Sequence, residues 1–338
     1  MKNWLKSAQW LLPAVVIPLA ASVMWQELRP AAKASPPAPL HGISVTARPL
    51  DGIGRQIGPF RLIGALALAS NDAGFGGISG LAAAADGRLL AVSDAGQWLS
   101  LRPVLAGGRL AAVTDAHMAG LLAAGEKSDS DAEALVLTSD GRTLISMEQR
   151  HRIVVLGGQA PPFPILSQMF RTAAAGWPTN GGGEALAQLP GGSLLWISES
   201  ARRADGLAFG LLITPDGDAR SIGVPVPAGF SPTDATVLDG QRLLLLFRKF
   251  NGVSAAAAIG LLDLGPVWAG GDAATLHMLG RWNRGGPWPV DNMEGLALAR
   301  AGGRTLLYVV SDDNFSAAQR TILLQLEIVS RLDAPAAP

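Results

Sequence analysis

Short apolar stretches alternate with glycine-containing turns along most of the chain. Five segments share one arrangement, in which an apolar stretch is followed by a tight turn and then by a second apolar stretch. The five segments are 76–94, 131–148, 182–199, 232–249 and 292–312. Each turn contains Asp-Gly or Gly-Gly, and these dipeptides readily adopt the positive φ angles of tight hairpins. The pattern therefore predicts five β-hairpins.

The hairpins recur roughly every 50–60 residues, a spacing typical of four-stranded propeller blades. Further apolar stretches follow each hairpin, but the last repeat has only one, at 321–328. The stretch 59–68 is expected to complete that blade, because an unpaired strand would leave an exposed sheet edge. We therefore predict an all-β fold, a β-propeller of four-stranded antiparallel blades closed by N- and C-terminal strands. Five repeats are visible, the region 250–290 leaves room for a sixth blade, and 115–125 is expected to form a short helix.

The N-terminal part of the chain reads as a targeting segment. Lys2 and Lys6 precede an apolar run over residues 10–25, as in a secretory signal or an uncleaved membrane anchor. We expect a periplasmic or secreted protein, attached to the inner membrane by residues 10–25 if they are retained. The predicted organisation is a signal peptide or anchor (1–29), a linker rich in Pro and Ala (30–40), a propeller domain (41–330) and a flexible tail (331–338).

Composition excludes several classes of function. Lys+Arg and Asp+Glu both number 27, and this balance argues against nucleic acid as a partner, because binding to phosphate backbones requires surplus basic residues. The absence of cysteine excludes disulfides, thiol catalysis and iron–sulfur clusters. The four histidines show no spacing of zinc ligands. We expect a monomer that acts on a small anionic or ester substrate.

Several motifs resemble one known family. The motifs are GGISGLAAAADGRLLAVSDAGQ (76–97), the EAL and EGL repeats, FRKFNG (247–252) and VSDDNFSAAQRTILLQLEI (310–328). They are similar to the phytase-like domain family, often described by its "esterase-like activity of phytase". The resemblance implies an exported β-propeller whose activity is likened to that of propeller phytases. It supplies no catalytic residue set.

Acidic residues recur at equivalent places in the five hairpins. The first strand starts at Ser79, Glu133, Glu184, Asp234 and Glu294, and the second ends at Asp94, Glu148, Glu199, Arg248 and Asp312. In an antiparallel hairpin these two positions share one edge, and the first strand of a blade is innermost. We therefore predict a ring of carboxylates around the channel mouth on one face.

The predicted ring suggests chemistry, because converging carboxylates raise each other's pKa unless a cation neutralises them. Ca²⁺ takes six to eight oxygen ligands, and arginines bind anionic substrates. We assign Glu184, Glu199, Glu294 and Asp312 as catalytic residues. We assign Glu133, Glu148, Asp94, Asp313 and Asn314 as ligands of Ca²⁺. We assign Arg150, Arg202 and Arg248 to substrate binding.

Alternatives remain open for these residues. The leading hypothesis is an exported, metal-dependent hydrolase of phosphate or other esters. A non-catalytic periplasmic binding or scaffold propeller and a calcium-dependent lactonase are the alternatives. In the scaffold interpretation, the carboxylates accept backbone N–H groups of the next blade and lock the ring. Trp177, Trp282 and Trp288 either rim a binding surface or pack between blades.

Overall fold

The computed structural model describes residues 25–26, 37–122, 127–170, 174, 176–252 and 254–332. Within these ranges the regular secondary structure is almost entirely β-strand, and the helices are two single turns. None of the described helices is long and apolar enough to cross a membrane. Residues 1–24, 27–36 and 333–338 lie outside the described part, so the predicted signal or anchor, most of the predicted linker and most of the predicted tail stay predictions.

Five strands precede the first blade. They are β1 (Trp25–Gln26), β2 (His41–Gly42), β3 (Val45–Pro49), β4 (Gln56–Ile57) and β5 (Phe60–Ser70). The first blade contains β6 (Ile78–Ala83), β7 (Leu89–Ser93), β8 (Gln97–Ala106) and β9 (Arg109–Gly120), and the short helix α1 (Lys127–Ser130) follows it. The second blade contains β10 (Ala132–Leu137), β11 (Thr143–Met147), β12 (Arg152–Leu156) and β13 (Ile165–Phe170).

The remaining blades follow the same plan. The third contains β14 (Gly183–Gln188), β15 (Leu194–Arg202), β16 (Ala208–Ile213) and β17 (Ala219–Val224). The fourth contains β18 (Ser231–Val237), β19 (Arg242–Phe250), β20 (Ala255–Asp263), the helix α2 (Gly265–Trp268) and β21 (Thr275–Asn283). The fifth contains β22 (Asn292–Ala301), β23 (Arg304–Asp312) and β24 (Thr321–Ile328).

The fold is a five-bladed β-propeller, which confirms the predicted class. Neighbouring strands within each blade are antiparallel, and the first strands of successive blades contact one another in a closed ring. In the fifth blade β5 pairs with β24, with Leu68 opposite Thr321 and Phe60 opposite Ile328, so strands from both ends of the chain close the ring. Short strands extend three of the sheets: β1 pairs with β13, β2 with β9, and β3 and β4 with β5.

Two local predictions were wrong. The region 250–290 does not form a sixth blade, because it supplies β20 and β21 of the fourth. Residues 115–120 are not helical, since they continue β9 and pair with β8. There Ala116 and Met118 are buried against the fifth blade, and the pairing with β8 satisfies the backbone that a helix would have bonded internally.

The core consists of five apolar clusters, one between each pair of adjacent blades. Both faces of a blade are therefore covered, and its central strands are continuously apolar rather than alternating. In β19, Leu243 and Leu245 pack towards the third blade, whereas Leu244 and Leu246 pack towards the fifth. The tryptophans follow the packing interpretation and do not rim a surface: Trp177, Trp282 and Trp288 are buried between blades.

Hydroxyl groups also link neighbouring blades. Ser79 Oγ donates to the carbonyl of Ala132 in the second blade, and Ser146 Oγ donates to Gly183 in the third. Thr233 Oγ1 donates to Met293 in the fifth. These bonds satisfy carbonyls of the innermost strands near one channel mouth, where one side of each strand faces the channel rather than another strand.

Candidate functional site

Each innermost strand contains a β-bulge at the same position, near the start of the strand. The hydrogen-bond register skips one residue there in all five blades. The bulged residues are Ser79, Glu133, Glu184, Thr233 and Glu294. A bulge adds an unpaired residue and redirects its side chain. Three glutamates thus occupy the same level of the channel.

Asp234 does not belong to this set, although the comparison of the five repeats predicted that it would. That comparison aligned Asp234 with the glutamates because all are acidic, but the strand register places Asp234 one residue after the bulge. Its side chain is buried and accepts the backbone N–H of Ala235 at 2.8 Å and of Leu296, in the next blade, at 2.6 Å. Asp234 therefore has the locking role that the scaffold interpretation gave to these carboxylates.

The ends of the second strands form a second set at the same mouth. These are Asp94, Glu148, Glu199, Arg248 and Asp312, as the hairpin geometry predicted. Each faces, across the hairpin, the residue two positions before the bulge: Gly77, Asp131, Gly182, Ser231 and Asn292. Sequence reasoning missed Asp131 and Asn292, although each precedes a bulged glutamate by two residues. We call the carboxylates of these sets the acidic collar: Asp94, Asp131, Glu133, Glu148, Glu184, Glu199, Glu294 and Asp312.

Arg248 connects one side of the acidic collar. Its guanidinium lies 2.8 Å from Glu199 Oε1 and 2.7 Å from Glu294 Oε1, and donates to Asn292 Oδ1 at 2.7 Å. Asn292 Nδ2 in turn donates to Glu294 Oε1 at 2.9 Å and to Asp312 Oδ2 at 3.2 Å. Burial lowers the pKa of Arg248, but Glu294 and Glu199 outweigh this effect and raise it. The guanidinium therefore stays charged and bridges carboxylates of the third and fifth blades.

Three carboxylates on the other side form a close group. The side chains of Asp131, Glu133 and Glu148 are buried, and one oxygen of each lies within 4.8 Å of the others. Glu148 Oε1 accepts the backbone N–H groups of Gly181 and Gly182 in the next blade. Asp131 Oδ2 accepts Gln149 Nε2. In the described part of the chain, the Glu133 carboxylate takes part in no hydrogen bond or ion pair.

The group is chemically suited to a hard cation. Burial and the neighbouring Glu184, Glu148 and Asp131 raise the pKa of Glu133 well above its ordinary value. Carboxylate oxygens are the donors preferred by Ca²⁺ and Mg²⁺, and a cation among them would remove their mutual repulsion. Glu133 and Glu148 were assigned as metal ligands from the sequence, and Asp131 completes the group.

Burial also shifts other members of the acidic collar. It raises the pKa of Glu184 well above its ordinary value, with Glu199 and Glu294 adding to the shift. Burial raises the pKa of Glu294 to about 8, although Arg248 opposes this. Burial raises the pKa of Asp312 to about 7, although the N–H of Asn314 opposes this. Two carboxyl groups bonded to the same Asn292 amide thus titrate near neutral pH.

The structure does not bring the other assigned metal ligands into the close group. Asp94 lies across from Gly77 at the mouth, where it raises the pKa of Asp312. Asp313 accepts the backbone N–H of Gly77 with Oδ1 and the hydroxyl of Thr321 with Oδ2. Asn314 lies in the same loop, and its side chain donates to Gln319 at 3.3 Å.

The two outer arginines differ from Arg248. Arg150 is exposed and pairs with Asp129 at 2.7 Å. Arg202 is also exposed, and it donates to the carbonyls of Glu199 and Ala201. Arg248, by contrast, contacts the carboxylates of Glu199 and Glu294 in the acidic collar.

A cavity of about 530 Å³ opens at the opposite mouth of the channel. It is lined by the far ends of the innermost strands and by the hairpin turns, and no residue of the acidic collar lines it. Its walls combine apolar side chains and backbone with the polar side chains of Gln188 and Thr236, and the ion-paired Asp140 and Arg142 also line it. The carboxyl groups with raised pKa values, those of Glu133, Glu184, Glu294 and Asp312, lie at the other mouth. We therefore place the candidate site at the acidic collar.

A comparison with models of known protein families identifies the family of this chain. The family model "Phytase-like: Esterase-like activity of phytase" matches residues 73–315. The chain belongs to this phytase-like family. The matched region of this phytase-like protein runs from the segment before β6 to the loop after β23, and it contains every residue of the acidic collar.

Solved structures provide fold likenesses at low identity. A thermostable family-43 glycoside hydrolase has 10% identity and a TM-score of 0.45, covering 78% of this chain and 98% of its own. The allergen Mala s 1 of Malassezia sympodialis has 13% identity and a TM-score of 0.41, with coverages of 82% and 92%. The PQQ-bound aldose sugar dehydrogenase of Streptomyces coelicolor has 14% identity and a TM-score of 0.39, with coverages of 87% and 99%. A search of curated proteins finds no match to the phytase-like chain.

Proposed function

We propose that the protein is a metal-dependent hydrolase of phosphate or carboxylic esters that acts at the acidic collar. The observation that carries the proposal is the buried group of Asp131, Glu133 and Glu148, with carboxylate oxygens within 4.8 Å of one another. Such a group is strongly repulsive without a cation or protons. A bound divalent cation such as Ca²⁺ would polarise the ester or phosphoryl oxygen of the substrate.

Glu294 is suited to act as the general acid. With its pKa raised to about 8, it is largely protonated at pH 7. Its Oε1 already accepts from Asn292 and contacts Arg248, which leaves Oε2 to carry the proton. In the proposed reaction this proton goes to the leaving oxygen of the substrate.

Asp312 is suited to act as the general base. Its pKa of about 7 leaves a substantial ionised fraction at neutral pH, and it can take a proton from the attacking water. Asn292 holds Asp312 and Glu294 through one amide group, so the two carboxyl groups are positioned together. Glu199 fixes the guanidinium of Arg248, and we assign Glu184 to the same catalytic set.

The test uses p-nitrophenyl phosphate and p-nitrophenyl acetate with the purified full chain. We expect turnover in millimolar Ca²⁺ and its loss after EDTA. Glu133→Gln should abolish both turnover and the heat of Ca²⁺ binding in calorimetry. A matched control is Asp216→Asn, which changes an exposed carboxylate in the β16–β17 hairpin turn. Absence of both Ca²⁺ binding and turnover in the wild type would contradict the proposal.

A non-catalytic scaffold is the second candidate, because some of these carboxylates bond to the next blade. Asp234 and Glu148 both accept backbone N–H groups across a blade boundary. In that case Glu133→Gln and Glu148→Gln should lower the melting temperature equally with and without Ca²⁺. The hydrolase proposal expects a loss that appears mainly in Ca²⁺, since a bound cation stabilises the folded state by mass action.

We further propose that the protein is exported and that it acts as a monomer on a small anionic or ester substrate. The support is the basic and apolar N-terminal segment together with the absence of cysteine. Cell fractionation of the full chain tests export, and recovery in the cytoplasm would contradict it. Light scattering of the purified protein tests the monomer.

A further inference from the structure

The loop between β23 and β24 holds two adjacent residues in an unusual backbone conformation. Asn314 has φ 47° and Phe315 has φ 50°, the left-handed region that favours glycine. For a bulky residue such as phenylalanine this conformation is strained, and it persists only where the surroundings enforce it. Strain of this kind is concentrated at sites that position a side chain for function.

Asp313 enforces this conformation. One of its carboxylate oxygens, Oδ1, accepts the backbone N–H of Phe315 and that of Gly77, each at 3.1 Å. The other, Oδ2, accepts the hydroxyl of Thr321 at 3.0 Å. Because Gly77 precedes the first blade and Asp313 follows β23, this one carboxylate ties the loop to the neighbouring blade.

The aromatic ring of Phe315 packs against the backbone of Gly76 and Gly77. A Cβ atom at position 77 would lie 2.5 Å from Phe315 Cε2, and one at position 76 would lie 3.1 Å from Cδ1. The ring thus rests directly on the backbone of two glycines. Yet the residue remains 48% exposed, so part of a large apolar side chain faces solvent.

The exposed ring adjoins the acidic collar. A Cβ atom at position 77 would contact both Asp94 Oδ1 and the Phe315 ring, so the carboxylate and the ring edge are neighbours. Asp312, at the start of the same loop, belongs to the proposed acid–base pair. An apolar surface therefore borders the carboxylates on the fifth-blade side of the mouth.

We propose that Phe315 is a specificity-determining residue, which binds an apolar alkyl or aryl group of the ester substrate. The inference rests on the proposed hydrolase function and deepens it. The expected substrates are esters that have an apolar group next to the scissile bond. Fully polar phosphorylated polyols are not expected to be substrates. Covering the ring with such a group removes apolar surface from water, whereas a polar substituent gains nothing there.

The experiment compares p-nitrophenyl acetate with p-nitrophenyl hexanoate in the wild type, Phe315→Ala and Phe315→Leu. We expect the wild type to prefer hexanoate, and Phe315→Ala to lower the hexanoate-to-acetate ratio of kcat/KM about tenfold, mainly through KM. Phe315→Leu should retain most of the preference. Trp268→Ala is the matched control, since Trp268 is 44% exposed at the end of α2, on the opposite face of the propeller. It should leave the ratio unchanged.

A binding measurement separates this inference from the proposed function. Calorimetry with hexylphosphonate and methylphosphonate requires no turnover, and the wild type should bind the hexyl compound more tightly. Loss of that preference in Phe315→Ala supports the inference even if no ester is hydrolysed. Hydrolysis with an unchanged chain-length preference in Phe315→Ala overturns the inference and leaves the hydrolase proposal standing. Equal binding of both phosphonates by the wild type, or binding of neither, also overturns the inference.

Discussion

Arg248 and Glu294 contact each other across the boundary between the fourth and fifth blades, with Nη1 2.7 Å from Oε1. Glu294 belongs to the acidic collar, and Arg248 lies beside it at the same channel mouth. The same guanidinium contacts Glu199 of the third blade at 2.8 Å. Arg248 is consequently the main fixed positive charge that balances this side of the channel mouth.

Replacing Arg248 with Gln should destabilise the protein strongly at pH 9, where Glu294, with its pKa raised to about 8, is largely ionised. Removing one partner of a buried ion pair leaves an uncompensated charge, at a cost of about 3–5 kcal/mol. The double variant Arg248→Gln/Glu294→Gln should recover part of this loss, because the neutral amide no longer needs a cation. Urea unfolding of the two single variants and the double variant at pH 9 gives the coupling energy. Strictly additive losses would show that the pair contributes no coupling.

The stability of the protein should fall between weakly acidic and weakly alkaline pH. The pKa of Glu294 is raised to about 8 in the folded state from an ordinary value of 4.5, so the folded protein holds this proton more tightly than the unfolded one. The resulting stabilisation is complete below pH 4.5 and is lost as the pH rises through about 8, at up to about 1.4 kcal/mol per pH unit.

The variant Glu294→Gln isolates this effect, since it cannot titrate. Its free energy of unfolding should fall less than that of the wild type between pH 5 and pH 9 in urea titrations. The comparison is made in EDTA, so that cation binding does not contribute. An identical pH dependence in both proteins would exclude Glu294 as the titrating group.

Asp234 should behave as a structural residue. Its carboxylate accepts two buried N–H groups, and Asp234→Ala leaves them unsatisfied, at about 1–3 kcal/mol each. The loss in melting temperature should be the same in Ca²⁺ and in EDTA. Asp216→Asn, on the exposed β16–β17 turn, should change little. A loss confined to Ca²⁺ would instead place Asp234 in a cation site.

Closure of the ring should be essential for folding. Deletion of residues 41–70 removes β5, exposes the edge of β24 and opens the apolar cluster around Phe60 and Leu62. The product should be unfolded or aggregated by circular dichroism and light scattering. Deletion of residues 37–44 removes only the two-residue strand β2 and should leave a cooperative melting transition. A folded 41–70 deletion would refute the role of closure.

Much of the architecture could be predicted from the sequence, because tight turns and strands produce recognisable local sequence patterns. The five hairpins, the closing strand and the carboxylates at the ends of the second strands all follow from such signals. Asp234 was misplaced, because a bulge shifts register by one residue and has no distinctive residue type. Asp131 was missed although it faces Glu148 across its own hairpin, because only the bulged position and the end of the second strand were compared between repeats. Phe315 was missed because its position depends on contacts between blades, such as that of Asp313 with Gly77.

The pairing of β5 with β24 also determines when the molecule can fold. The two strands are separated by roughly 250 residues of chain, and contacts at such distances slow folding because the loop entropy must be lost first. The four strands of each of the first four blades lie in one continuous stretch of chain, but the fifth blade stays incomplete until β5 and β24 pair. The apolar clusters on both sides of that blade then form last. We therefore expect the pairing of β5 with β24 to be the last step of folding. Before this step, the protein is most susceptible to aggregation and proteolysis.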